Sequence, residues 1–281
     1  MTDVADLRSA YLGLLKKALR SATNGPMDLH HPVRIDEGPF VRTTVQKWLL
    51  KRGHARLMYP LTIDPGVDPE GRRFVTALPP GAMTMIGAVR LDNVEQCVTD
   101  VITNDVTGDL IETGVWRGGA TILMRAVLKA YGVTDRCVYV ADSFEGLPPP
   151  DAERYPADEG LNLNEYPALA VSLEDVSANF ERYDLLDDQV TFVKGWFRDT
   201  LPGLKGHTWS VIRLDGDLYE STTDALVNLY PGLSPGGWVI IDDYEIDACR
   251  KAVTDYRAAN DITEEIIEID WTGVCWQKKG G

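Results

Sequence analysis

Hydrophobic and polar positions divide the chain into three regimes. Leu7, Tyr11, Leu14, Leu15, Ala18 and Leu19 recur at helical spacing, which predicts an amphipathic helix over residues 7–19. From there to about Pro80 the sequence is rich in His, Pro, Gly and Asp with weak periodicity, and it reads as a cap or arm on the main domain. Leu91–Ile102 returns to helical spacing. Beyond Asp109 short apolar runs alternate with helical stretches: Leu110–Ile111, Cys137–Ala141, Val190–Val193, Trp209–Leu214 and Gly237–Ile241. This rhythm predicts a doubly wound α/β domain. The closing runs Glu264–Ile269 and Gly273–Gln277 predict a strand pair at one edge of its sheet.

In such sheets ligands collect beyond the carboxyl ends of the strands. The first run delivers Glu112 and then Gly114, Gly118 and Gly119, a strand, a tight turn and a helix start. Glycine leaves room for a ligand to lie against the main chain and the first helical amides. The pattern is E-x-G-x-x-x-G-G and not the G-x-G-x-x-G of dinucleotide sites, which favours a small ligand with a positive end. The second run delivers Asp142 and Ser143, placed as an acid that accepts ribose hydroxyls commonly is. The third delivers Gly195-Trp196-Phe197-Arg198, a turn with flat rings for a purine face.

The fourth and fifth runs end in Leu214-Asp215-Gly216-Asp217 and Ile241-Asp242-Asp243, so carboxylates from two strand ends should converge. Unpaired anions this close repel, and burying one costs several kcal/mol, on the order of the penalty for an isolated buried charge. A divalent cation resolves the conflict, and an all-oxygen ligand set suits Mg²⁺.

Acids outnumber bases 43 to 28, a formal charge of −15, which argues against nucleic acid and anionic membrane partners. Cys97, Cys137, Cys249 and Cys275 have no metal-ligand spacing and read as reduced, mostly buried thiols of a cytoplasmic protein. No segment reaches the roughly 18 uninterrupted apolar residues of a membrane span. The histidines lack H-x-x-H or H-E-x-x-H spacing; His30-His31 reads as a surface-loop pair, and His207 precedes a strand. Neither a G-x-S-x-G elbow nor a P-loop occurs. An NAD-dependent sugar dehydrogenase would explain Asp142 but not the glycine spacing. A non-catalytic ligand-binding domain would leave the aspartates without a purpose.

Asp109–Ala120 (DLIETGVWRGGA), Val140–Pro148 (VADSFEGLP), Gly195–Pro202 (GWFRDTLP), Leu214–Tyr219 (LDGDLY) and Pro235–Tyr244 (PGGWVIIDDY) resemble the macrocin-type sugar O-methyltransferases, which tailor glycosylated antibiotics. The resemblance spans Met83 to Gln277, with residues 1–82 the variable part. It implies a Rossmann-like class I fold dependent on S-adenosylmethionine; together with the opening helix and the closing strand pair read above, the expectation is a mostly parallel sheet with an antiparallel edge strand and a helical amino-terminal cap over residues 1–82. It further implies a Mg²⁺ requirement and methyl transfer to a deoxysugar hydroxyl of a glycosylated natural product of aminocoumarin or macrolide type; a catechol-like hydroxyl is the alternative acceptor. By the same resemblance Glu112 would approach the methionyl amino group, Gly114 and Gly118 the methionyl backbone, and Ala120 its carboxylate. Asp142, with Ser143 beside it, would take the ribose, and Trp196 and Phe197 would border the adenine. Thr84 and Met85 would close over the reacting centre, and residues 148–173, with Tyr155 and Tyr166, would form a lid. Asp215, Asp242 and Asp243 would hold the metal, and Asp217 or Asp215 would take the proton. A homodimer is the expected assembly.

Overall fold

A computed structural model describes residues 3–24, 27–32, 58–63, 70 and 81–280. Helix α1 spans Val4–Leu19, with the Asp3 carboxylate accepting from the Ala5 amide. Two antiparallel strands follow, β1 (Met27–Pro32) and β2 (Met58–Ile63). His30 and His31 therefore lie in a strand and not in a loop; weak hydrophobic periodicity hid this pair, since its partners are about 30 residues apart along the chain.

The main domain is built from α2 (Ala88–Thr103), β3 (Asp109–Thr113), α3 (Gly119–Tyr131), β4 (Val138–Asp142), α4 (Leu173–Arg182) and β5 (Val190–Lys194). It continues with β6 (Trp209–Leu214), α5 (Tyr219–Leu229), β7 (Leu233–Ile241), α6 (Asp247–Ala259), β8 (Ile267–Glu268) and β9 (Val274–Gln277). The sheet order is β5-β4-β3-β6-β7-β9-β8. The first five strands are parallel, and β9 enters antiparallel between β7 and β8. This is the expected mostly parallel Rossmann-like sheet with its antiparallel edge. β7 starts earlier than its apolar run, at Leu233, because Ser234-Pro235-Gly236-Gly237 carries turn residues inside the strand. β8 keeps only two residues of its predicted run.

Successive strand residues point to opposite faces, and each face has its own apolar layer. Leu110, Val140, Val211 and Ile240 meet α1 to α4 through Leu12, Leu15, Leu91, Val98, Leu123, Val127 and Phe180. Ile111, Ala141, Ile212 and Ile241 meet α5 and α6 through Leu226, Leu229, Cys249 and Val253. The cysteines are all free thiols, with Cys97, Cys249 and Cys275 buried. Among the described residues no helix is long and apolar enough to cross a membrane.

Candidate active site

The chain order of the strands reverses between β3 and β6, the topological switch point where open α/β sheets bind ligands. The two chain segments touch there. Gly114 follows β3 with φ +84°, and a Cβ on it would lie 1.7 Å from the Asp215 carbonyl oxygen after β6. Only glycine permits both the backbone angle and the approach. A cleft opens above this contact, walled by residues of both segments, Gly114 and Trp116 on one side and Asp215, Gly216 and Asp217 on the other.

Met85, Gly114, Asp142, Ser143, Trp196, Phe197, Asp215 and Asp217 all line this cleft. Asp142 holds its walls in place: one carboxylate oxygen accepts from the Val115 amide at 2.8 Å and the other from Phe144 at 2.8 Å. Burial raises its pKa above the ordinary value, against the pull of those amides. Trp116, Phe144 and Asp217 all take positive φ, at 47°, 58° and 56°. Left-handed backbone in such residues costs on the order of 1 kcal/mol or more and gathers at functional sites.

Other residues named from the sequence lie outside the lining. Gly118 has φ +86°, and a Cβ there would press on Val176 at 3.0 Å, so its glycine serves the packing of α4. The Gly119 amide donates to the Met83 carbonyl at 3.0 Å, and Thr84 packs against the same helix start, where Ala120 is also buried. Tyr155 and Tyr166 lie in the segment over residues 148–173, which is folded into short 3₁₀ turns; Pro148 and Leu169 are its cleft-facing members. The Trp116 indole N–H donates to the Ala168 carbonyl at 2.9 Å and ties this segment to the glycine turn.

Beneath the acidic end of the cleft lies a charge network. Arg213 is 1 % exposed and contacts Glu112, Asp242 and, at 2.8 Å, Asp215. Arg90 contacts Asp242 and reaches Asp270 at 3.0 Å. The four aspartates at the strand ends are therefore not all unpaired, as a reading of the sequence without the arginines supposed: Asp215 and Asp242 have guanidinium partners. Asp217 and Asp243 have none among the described residues; Asp243 accepts instead from the Asp217 amide at 3.2 Å. Arg213 carried a signal in the sequence, a cation inside the apolar run Val211-Ile212-Arg213-Leu214. A charge there must meet acids on neighbouring strands, and its register partner in β3 is Glu112.

Two cations do not balance this many acids. Burial first, and then the Asp215 and Asp242 charges against the pull of Arg213, pushes Glu112 to about 8. Burial and the Asp242 charge push Asp215 to about 6, burial with Asp215 and Asp242 pushes Asp217 to about 7, and Asp243 lies well above the usual carboxylate range for the same reasons. Asp215, Asp242 and Asp243 each offer an oxygen within 4.8 Å of the others, a hard, oxygen-only donor set with a residual negative charge. The Glu112 Oε2 atom is buried without a hydrogen-bond partner.

Comparison with known proteins identifies the family. The family described as macrocin O-methyltransferase (TylF) matches residues 8–278. The match begins far upstream of Met83, so the amino-terminal part belongs to the family pattern as well. A tetracenomycin-C rhamnosyl 4'-O-methyltransferase of Streptomyces olivaceus is 59% identical over 217 residues, covering 76% of this chain and 82% of that protein. Demethyldecarbamoylnovobiocin O-methyltransferase of Streptomyces niveus is 56% identical over 202 residues, with 71% and 77% covered. The solved structure of the O-methyltransferase NovP superposes with a TM-score of 0.80 at 45% identity, covering 97% of this chain and all of that one. With its switch-point cleft, its strand-end acids and a match over nearly its whole length, the chain belongs to the macrocin O-methyltransferase family and is an S-adenosylmethionine-dependent O-methyltransferase.

Proposed function

We propose that this enzyme methylates a sugar hydroxyl of a glycosylated natural product and that Mg²⁺ held by Asp215, Asp242 and Asp243 is required. The observation that carries this reading is the meeting, at one cleft, of the Gly114–Asp142 wall with a cluster of carboxylates too acidic in composition for its two arginines. Relatives named for a rhamnosyl 4'-hydroxyl and for a novobiocin precursor support the sugar class of acceptor.

S-adenosylmethionine would supply an electrophilic methyl group, and Asp142, Ser143, Trp196, Phe197 and Met85, which line the cleft together, would hold it. Mg²⁺ would supply a Lewis acid that lowers the pKa of a neighbouring hydroxyl. The rest falls to the chain. The cleft would align the acceptor oxygen behind that methyl group. The acceptor proton goes to Asp217, which lines the cleft with no cationic partner among the described residues, whereas Asp215 is held by Arg213. A homodimer is part of the same proposal. The outer side of α1 leaves Val4 67%, Leu7 59%, Tyr11 41% and Leu14 62% exposed in one stripe, an apolar face suited to a second copy.

Titration calorimetry with S-adenosylhomocysteine, then mass spectrometry of a panel of glycosylated aminocoumarins and macrolides, tests the proposal. A gain of one methyl on the sugar, lost with chelator and restored by Mg²⁺, is expected. Methylation of the aglycone alone, or turnover indifferent to chelation, would overturn the acceptor or the metal respectively.

A further inference from the structure

Helix α5 begins two residues after Asp217 and forms one wall of the cleft through Glu220, Ser221 and Asp224. Its own preceding residue, Leu218, has no side chain able to cap the first amides. The cap comes from about 60 residues upstream. Asp158, in the Pro156–Asp158 turn of the segment over the cleft, is 0% exposed. One of its carboxylate oxygens accepts from the Tyr219 amide at 2.6 Å and the other from the Glu220 amide at 3.1 Å. It has no ion-pair partner among the described residues, so the helix start is the group that compensates its burial. The neighbouring Tyr155 and Tyr219 rings pack with centroids 5.9 Å apart.

Helix α5 is entered through a strained turn. Asp217 has φ +56°, its amide is held by Asp243, and the Leu218 amide donates to the Gly216 carbonyl at 2.5 Å. A residue in that conformation keeps it only while both flanks are fixed. Asp243 fixes one flank, and Asp158 fixes the other. The same segment is moored at its far end by Trp116 on the glycine turn. It therefore spans the cleft from the donor wall to the acidic wall.

We infer that Asp158 is a positioning residue for methyl transfer: by capping α5 from the segment that covers the cleft, it sets the Asp217 turn in its working conformation when that segment is seated. Lifting the segment removes the cap and frees the turn, so acid placement and cleft closure are one event. This rests on the reading of Asp217 as the proton acceptor, but the mechanical tie between segment and helix is measurable without any substrate.

The test uses the full-length enzyme with Asp158→Asn, which keeps the size and one acceptor oxygen, and Asp158→Ala, which keeps neither. Hydrogen exchange over residues 216–222 and tryptic cleavage after the exposed Arg154 are followed alongside kcat and S-adenosylhomocysteine affinity. Exchange and cleavage should both rise several-fold in the order wild type, Asn, Ala. The kcat should fall in the same order, at least tenfold for Ala, with S-adenosylhomocysteine affinity within threefold. If Asp158→Ala fails to fold, Asp158→Asn alone decides, with a fall in kcat of threefold or more. A kcat within twofold of wild type in both variants, or slowed turnover with exchange and cleavage unchanged, overturns the assignment. Should the wild-type chain methylate no acceptor, the proposed function falls; the exchange and cleavage pattern then judges the tie by itself, and an unchanged pattern would overturn it.

Discussion

Arg213 is the residue on which the acidic site depends. It joins an acid from β3, one that follows β6 and one that follows β7, and it is itself sealed from water. Removing one partner of a buried ion pair is far costlier than never building it, because the others are left charged and unsolvated. Arg213→Met should therefore lower unfolding free energy by about 3–5 kcal/mol in urea titrations. Arg213→Lys, which keeps the charge but loses the fork, should lose less. Asp217→Asn tests the proton acceptor. Turnover should fall on the order of 10²- to 10⁴-fold, the usual contribution of a positioned base, while calorimetry shows S-adenosylhomocysteine binding retained. Asp217 was legible in the sequence as one of two aspartates around a glycine. That it and not Asp215 is free of an arginine was not, since the deciding partner comes from a side chain two positions away that the strand pleat turns toward β3.

At the scale of elements, the turn between β3 and α3 was readable because its glycines are dictated locally, but their tasks differ. Gly114 answers to Asp215 across the switch point, Gly118 to α4, and Gly119 to the Met83 carbonyl. Gly114→Ala should be the most damaging of the conservative changes here. Its Cβ has no space and its φ is positive, and both faults push Asp215 out of the cleft floor. A fall in thermal midpoint of several degrees and loss of S-adenosylhomocysteine binding are expected, and near-native binding in calorimetry would refute the account. The amino-terminal strand pair was not legible. Its strands are short, their hydrophobic alternation is weak, and their pairing is set by contacts far apart along the chain.

At the scale of the whole molecule, charge links stability to pH. Glu112, Asp215 and Asp217 have folded-state pKa values of about 8, 6 and 7, all above the ordinary carboxylate values. Between the unfolded and folded values the native state binds more protons than the unfolded chain, so stability must fall as pH rises. Chemical denaturation of the metal-free enzyme should show stability declining from about pH 4.5 to about pH 8. Added Mg²⁺ should flatten that decline by favouring the ionised carboxylates. A metal-free protein that gains stability over this range would contradict the protonation pattern. Assembly belongs to the same scale: Leu7→Glu with Leu14→Glu should convert the proposed dimer to a monomer in sedimentation equilibrium without loss of helix content, since neither residue is in the core.

By itself the sequence determined the α/β alternation, the end of each central strand and the residue types delivered there. Strand period and glycine placement are local properties, readable wherever a strand must stop and a helix begin. Only the tertiary structure decided how those ends are used. Arg213 and Arg90 neutralise part of the acidic cluster because strand order sets β6 between β3 and β7 and lays α2 against them. Asp158 caps a helix some 60 residues downstream because a chain segment folds back over the cleft. Charge pairing and capping act through space over a few ångströms, and no pattern along the chain records which distant groups the fold will bring within that reach.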